Sequence, residues 1–148
     1  MMIQGTAYWA KIVGAPVPGY DKSQKEWTFD LAIDDDTVEK LTELGCKDQI
    51  RNKNDDRGNF ITFKRRAVTR EGEPAKPFFI VDNMKREWDG KTRIGNGSIL
   101  NVKFAVNDIT YQGKTRPKAS AISIQVWKHV PYDNDEFPVN EDGAESWD

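Results

Sequence analysis

Apolar and polar residues alternate with a period of two along most of the chain. Trp27, Phe29, Leu31 and Ile33 are separated by Thr28, Asp30 and Ala32, and Leu100, Val102, Phe104 and Val106 by Asn101, Lys103 and Ala105. Successive strand side chains point to opposite faces, so this spacing predicts strands with one buried side, and with it places Trp27, Phe29, Phe63 and Phe104 in the core. Further strands are predicted over Thr6 to Val13, Phe60 to Val68, Phe78 to Asp82 and Ser120 to Lys128, each bounded by Gly, Pro, Asn or Asp. One short helix is expected from Asp36 to Leu44. Asp35 or Asp36 can cap it, Val38, Leu41 and Leu44 form its apolar stripe, and Gly45 can close it. Strands without alternating βαβ units point to an all-β fold, an OB-like Greek-key barrel carrying one helix.

Apolar periodicity stops near residue 133, and charge then changes the picture. The 148-residue chain has 22 basic and 24 acidic residues, a net charge of -2. Seven of the acids, Asp133, Asp135, Glu136, Glu141, Asp142, Glu145 and Asp148, fall after residue 132, where no Lys or Arg occurs. The body is therefore basic, with 22 cations against 17 acids, and the tail is purely acidic. Residues 1–132 are expected to fold as one domain and residues 133–148 to remain a disordered, partner-binding tail. A basic body favours a polyanionic partner. No apolar run approaches the length of a membrane span, and the N-terminus has neither the basic nor the apolar region of a secretory signal, so neither membrane nor export is expected. Cys46 is the only cysteine and His129 the only histidine, which leaves no intrachain disulfide and no four-ligand Cys/His zinc site. No metal or other cofactor is expected.

The surplus charge lies beside aromatic rings. Phe60, Lys64 and Arg66 share one strand face while Ile61 and Phe63 share the other, and Arg65 lies between the two cations. Unpaired DNA offers phosphates to cations and flat base faces to rings, whereas duplex DNA hides its base faces. Either Phe60 stands among the cations as a stacking ring or it is buried at a barrel corner, and the residues leave both alternatives open. Trp9 shares a face with Lys11, Trp88 lies in the polar loop from Lys85 to Gly90, and Tyr111 lies in a connection followed by Lys114, Arg116 and Lys118. Trp88 and Tyr111 are the stronger stacking candidates, with Phe60 and Trp9 as further rings. Lys64, Arg65, Arg66, Lys103, Lys114, Arg116 and Lys118 are the expected phosphate partners. In the tail, Trp147 stands among Glu145, Ser146 and Asp148, a ring that an acidic peptide could dock in a basic pocket.

No P-loop, nucleophile elbow or HExxH pattern occurs, so no catalytic residue is expected. Asp34, Asp35 and Asp36 sit where a helix favours caps and negative charge rather than a metal. Two rivals stay open. A metal-dependent nuclease or junction resolvase would use Asp82, Asp108 and a nearby lysine, and an RNA-binding OB module would use the same rings and cations.

Val81-Asp82, Ile94-Gly95-Asn96-Gly97-Ser98 leading into Leu100-Asn101-Val102-Lys103-Phe104, a loop with Tyr111, a last strand ending at Val126 and an acidic tail together form a pattern. It resembles the single-stranded-DNA-binding replication proteins of podophages over about Trp27 to Asp148. The resemblance implies an OB-fold body that coats and protects unpaired DNA in phage replication, recombination and repair, within the cytoplasm of an infected bacterium and without a catalytic site. It implies that Tyr111 stacks on bases and that Lys64 and Arg65 belong to the basic strand. It also implies that the tail, with Trp147 as its aromatic, competes with DNA and contacts replication proteins such as polymerase and helicase-primase. A homodimer is an assembly the family admits. Here Asp148 follows the terminal ring, the tail has seven acids, and the family's helical insertion is shortened to about Asp36 to Leu44.

Overall fold

A computed structural model describes residues 1–19, 24–69 and 71–131, so the proposed tail from Asp133 to Asp148 lies outside the described residues. The chain forms strands β1 (Met2–Lys11), β2 (Val17–Pro18) and β3 (Lys25–Ala32), helix α1 (Asp35–Glu43), and a 3-10 turn at Lys47–Gln49. Strands β4 (Ile50–Asn52), β5 (Asn59–Arg66), β6 (Phe79–Val81), β7 (Ile99–Tyr111) and β8 (Lys114–Lys128) follow. Their order in the sheet is β4-β5-β3-β1-β7-β8-β6, with β2 on β3. All pairs are antiparallel except β6 with β8.

The alternation does what it predicts in β3, where Trp27, Phe29 and Leu31 are buried and the intervening residues are half-buried. Phe29 is fully buried, edge-on to Phe78 at 5.6 Å and tilted against Phe63 at 5.4 Å between ring centroids. Leu100, Val102, Phe104, Ile124 and Val126 complete the opposite wall, and Leu41 of α1 is buried in the same cluster. Gly5 allows β1 and β3 to approach, since a Cβ there would lie 2.3 Å from the Ala32 carbonyl oxygen. The sheet does not close through a backbone ladder between β5 and β8. Instead the Gln49 amide pairs with the backbone of Ala119, donating from Nε2 to its oxygen (3.1 Å) and accepting from its nitrogen at Oε1 (2.7 Å). One side chain thus imitates a strand neighbour at the seam.

Three sequence expectations are corrected. The helix cap is Asp34 rather than Asp35 or Asp36: its Oδ1 accepts from the Thr37 backbone N–H at 2.8 Å, the geometry an N-cap needs. The segment Ile109 to Pro117, taken as a connection, is the end of a hairpin. Gln112 and Gly113 both have positive φ (51° and 79°), as a two-residue turn matched to strand twist requires, so β7 and β8 pair as far as Tyr111 with Lys114. Finally, β1 begins at Met2 rather than Thr6, and its register slips between Tyr8 and Lys11. That bulge breaks the period of two where Trp9 lies. Among the described residues no helix is long and apolar enough to cross a membrane.

Candidate nucleic-acid interface

The hairpin of β7 and β8 runs beyond the barrel as an arm. From Asn107 to Arg116 every residue is exposed. Directly paired residues share a face, so Asn107, Ile109 and Tyr111 stand beside Lys118, Arg116 and Lys114 respectively. Tyr111, 68% exposed, and three cations therefore occupy one side of an arm roughly 14 Å long. The other side carries Asp108, Thr110, Thr115 and Pro117, with the two threonine hydroxyls 2.8 Å apart. Lys114, Arg116 and Lys118 alternate along β8 itself, and its pairing with β7 brings Tyr111 onto the same face.

The cationic side of the arm leads into the barrel seam. A groove of about 290 Å³ lies between β5 and β8, lined by Arg51, Thr62, Lys64, Lys118 and Ser120, with Gln49 spanning it. Arg116 is only loosely paired with Asp48 (3.8 Å), and Lys64 with Glu26 (3.9 Å), so both stay available to another anion. Lys64, Lys118, Arg116, Lys114 and Tyr111 are thus brought onto one strip. Arg66 lies exposed on the Lys64 side of β5, opposite Glu26.

Other expected residues are placed differently. Arg65 is half-buried on the alternate side of β5 and donates from Nε to the Lys76 carbonyl (2.6 Å), which ties down the following loop. Lys103 is exposed opposite Met2 and Ser123 and does not line the groove. Trp88 is corrected from a free loop ring to one packed against the core: its indole donates to the Thr92 carbonyl (2.7 Å), and its ring meets His129 edge-on at 5.2 Å. A loop can lend a ring to the core when the chain folds back, which local polarity does not reveal. Phe60 follows the buried alternative, at 2% exposed.

What covers Phe60 is Arg57, which the sequence did not single out. Its guanidinium lies 3.9 Å from the Phe60 ring centroid and 4.4 Å from that of Trp9. Arg57 is only 8% exposed and is held from both sides, by Asp30 Oδ2 at 2.6 Å and by Asp55. The other Asp30 oxygen accepts from the Thr62 hydroxyl at 2.6 Å. Hydrogen bonding from Arg57 holds the Asp55 carboxyl down to about 2. Two carboxylates outweigh one guanidinium, so this cluster offers no net positive charge to phosphates. Trp9 is 53% exposed and sits in the bulge at a φ of +49°, a left-handed conformation that costs a non-glycine residue about 1–2 kcal/mol. Its backbone N–H donates to Asn96 Oδ1 at 2.7 Å. Asp55-Asp56-Arg57-Gly58 reads along the chain as a turn, and nothing in its spacing points to a ring 48 residues away.

The carboxylates named for a nuclease do not meet. Asp82 follows Val81, which is opposite Gln125 on β8, whereas Asp108 is opposite Pro117, roughly 25 Å along that strand. Asp82 is occupied by the Met84 and Arg86 backbone N–H groups and the Arg86 side chain, and those backbone bonds lower its pKa. Among the described residues no group of three His, Cys, Asp or Glu side chains is arranged to hold a metal. Cys46 is buried, which raises its thiol pKa.

No protein-family model and no curated protein matches the sequence. Solved structures do match in shape. The single-stranded-DNA-binding protein gp2.5 of bacteriophage T7 superposes with a TM-score of 0.63 at 16% identity, over 95% of this chain and 97% of that one. The single-stranded-DNA-binding protein of bacteriophage Enc34, in complex with single-stranded DNA, gives 0.61 at 13% identity, over 89% and 88%. A further structure of the Enc34 protein gives 0.58 at 11% identity, over 93% and 86%. These matches establish the fold, mainly β and OB-like with one short helix, over nearly the whole chain.

Proposed function

We propose, from a fold shared with two phage single-stranded-DNA-binding proteins, that this chain binds unpaired DNA without regard to sequence and coats and protects it during phage replication and recombination. The observation that carries the proposal is the continuous strip from Lys64 and Lys118 in the seam groove to Arg116, Lys114 and Tyr111 on the arm. Cations along the strip follow a phosphate backbone, and an exposed ring at its end takes a base by its face, a contact every base can make. No group on the strip has to read a base edge or a 2′-hydroxyl. In this proposal the acidic residues Asp133 to Asp148 compete with DNA for the strip and, with Trp147, recruit replication proteins.

Fluorescence titration of the full chain with poly(dT) across salt concentrations tests the proposal. With about five phosphates neutralised, log affinity falls with log salt at a slope of about -3.5. Salt-insensitive binding, or matched RNA binding more tightly than DNA, overturns it. Removing residues 133–148 is expected to tighten binding most at low salt, and unchanged affinity would leave the tail with partners alone.

Tyr111→Ala is expected to weaken poly(dT) binding by roughly 1–3 kcal/mol with no change in salt slope, because it removes a stacking face and no charge. The ring packs on nothing in the barrel, so the melting temperature should be unchanged. Unchanged affinity would remove Tyr111 from the interface.

A further inference from the structure

Trp9 combines three features that packing alone does not require. The residue is more than half exposed, its backbone is held in a left-handed conformation, and its ring rests on a buried, doubly paired arginine. An exposed tryptophan on a regular strand would have several rotamers available and would lose that freedom on binding. Here the freedom is removed beforehand. The Arg57 guanidinium supports Trp9 at 4.4 Å and Phe60 at 3.9 Å, and Asp30 and Asp55 prevent it from turning away. Behind the ring, Asn96 Oδ1 accepts the Trp9 N–H that the bulge takes out of the ladder.

Asn96 is itself fixed. The flanking backbone pairs with β1, Gly97 donating to the Ala7 oxygen (2.9 Å) and Ala7 to the Ser98 oxygen (2.7 Å). On its other side Gly95 donates to the Val130 oxygen (2.8 Å), an approach so close that a Cβ on Gly95 would lie 2.3 Å from the Pro131 oxygen. The loop thus places one side-chain oxygen against the inverted Trp9 backbone.

We propose that Trp9 forms a second base-stacking subsite, distinct from Tyr111, and that Arg57 and Asn96 are positioning residues that hold its ring without touching DNA. The proposal rests on the single-stranded-DNA reading and adds the ligand part that this subsite takes, the flat face of an unpaired nucleobase. Because the Arg57 cluster carries no surplus positive charge, the subsite contributes through the base and leaves the phosphates to the groove and arm.

The full chain is titrated with oligothymidylate and with an abasic oligomer of the same length, and the ratio of the two affinities is read for each variant. Taking the ratio cancels the phosphate contribution. Trp9→Ala is expected to reduce the ratio roughly 5- to 150-fold, the range of one lost stacking contact, with the salt slope unchanged. Trp9→Phe should retain most of it. Asn96→Ala should reduce the ratio and Asn96→Asp, which keeps the accepting oxygen, should restore it; Arg57→Lys should reduce it because the charge remains but the flat support is lost. If wild type does not bind oligothymidylate, the single-stranded-DNA reading itself fails. If wild type binds and Trp9→Ala keeps the ratio, the subsite is overturned while that reading stands. A reduced ratio in Trp9→Ala with unchanged ratios in Asn96→Ala and Arg57→Lys overturns the positioning roles, and Arg57→Lys decides them alone if Asn96→Ala does not fold.

Discussion

Phe29→Ala should lower the unfolding free energy by about 3–5 kcal/mol, the range for truncating a buried phenylalanine. Phe29 is fully buried in the interior strand β3, between Phe63 of β5 and Phe78 just before β6. Its neighbours come from sheet segments far apart in sequence, so the cavity cannot be filled by moving one loop. Chemical denaturation followed by circular dichroism measures the loss. A change under 1 kcal/mol would mean that the barrel interior collapses more readily than its packing indicates.

The second large effect is electrostatic. Lys64→Ala, Arg116→Ala and Lys118→Ala in one chain should flatten the poly(dT) salt slope by about 2 and weaken binding on the order of 100-fold at 0.1 M salt, because each lost phosphate contact removes about 0.7 from the slope. The Lys64 and Arg116 side chains are about half exposed and their ion pairs are long, so denaturation should be little changed. Replacing Arg65 and Lys103 instead should alter the slope less, since Arg65 is engaged by Lys76 and Lys103 lies outside the groove. Equal losses from both sets would mean that DNA takes another path over the barrel.

Periodicity made the barrel legible. The alternating residues of β3 and the first half of β7 are buried as their spacing predicts, and α1 lies within a residue of its expected span. Alternation fails as a guide where no core supplies contrast. Beyond Val106 both faces of β7 meet solvent, so the arm looks like a loop, although Gln112-Gly113 between Thr110 and Thr115 was a usable turn signal. The candidate site was legible as a list of residue types and only partly as a place. Lys64 joins Lys118, Arg116, Lys114 and Tyr111 because β5 and β8 meet at the seam, a consequence of closure that no local window contains. Arg57 was invisible for the same reason: its role depends on β1 and β5 lying on either side of β3.

The arm answers to no interior. From Asn107 to Thr115 its residues are exposed, so two residues added to or removed from each strand, in register, would alter its reach without disturbing the barrel's fit. Such a finger can be resized over evolutionary time, or by deliberate grafting, while the chassis beneath it stays the same.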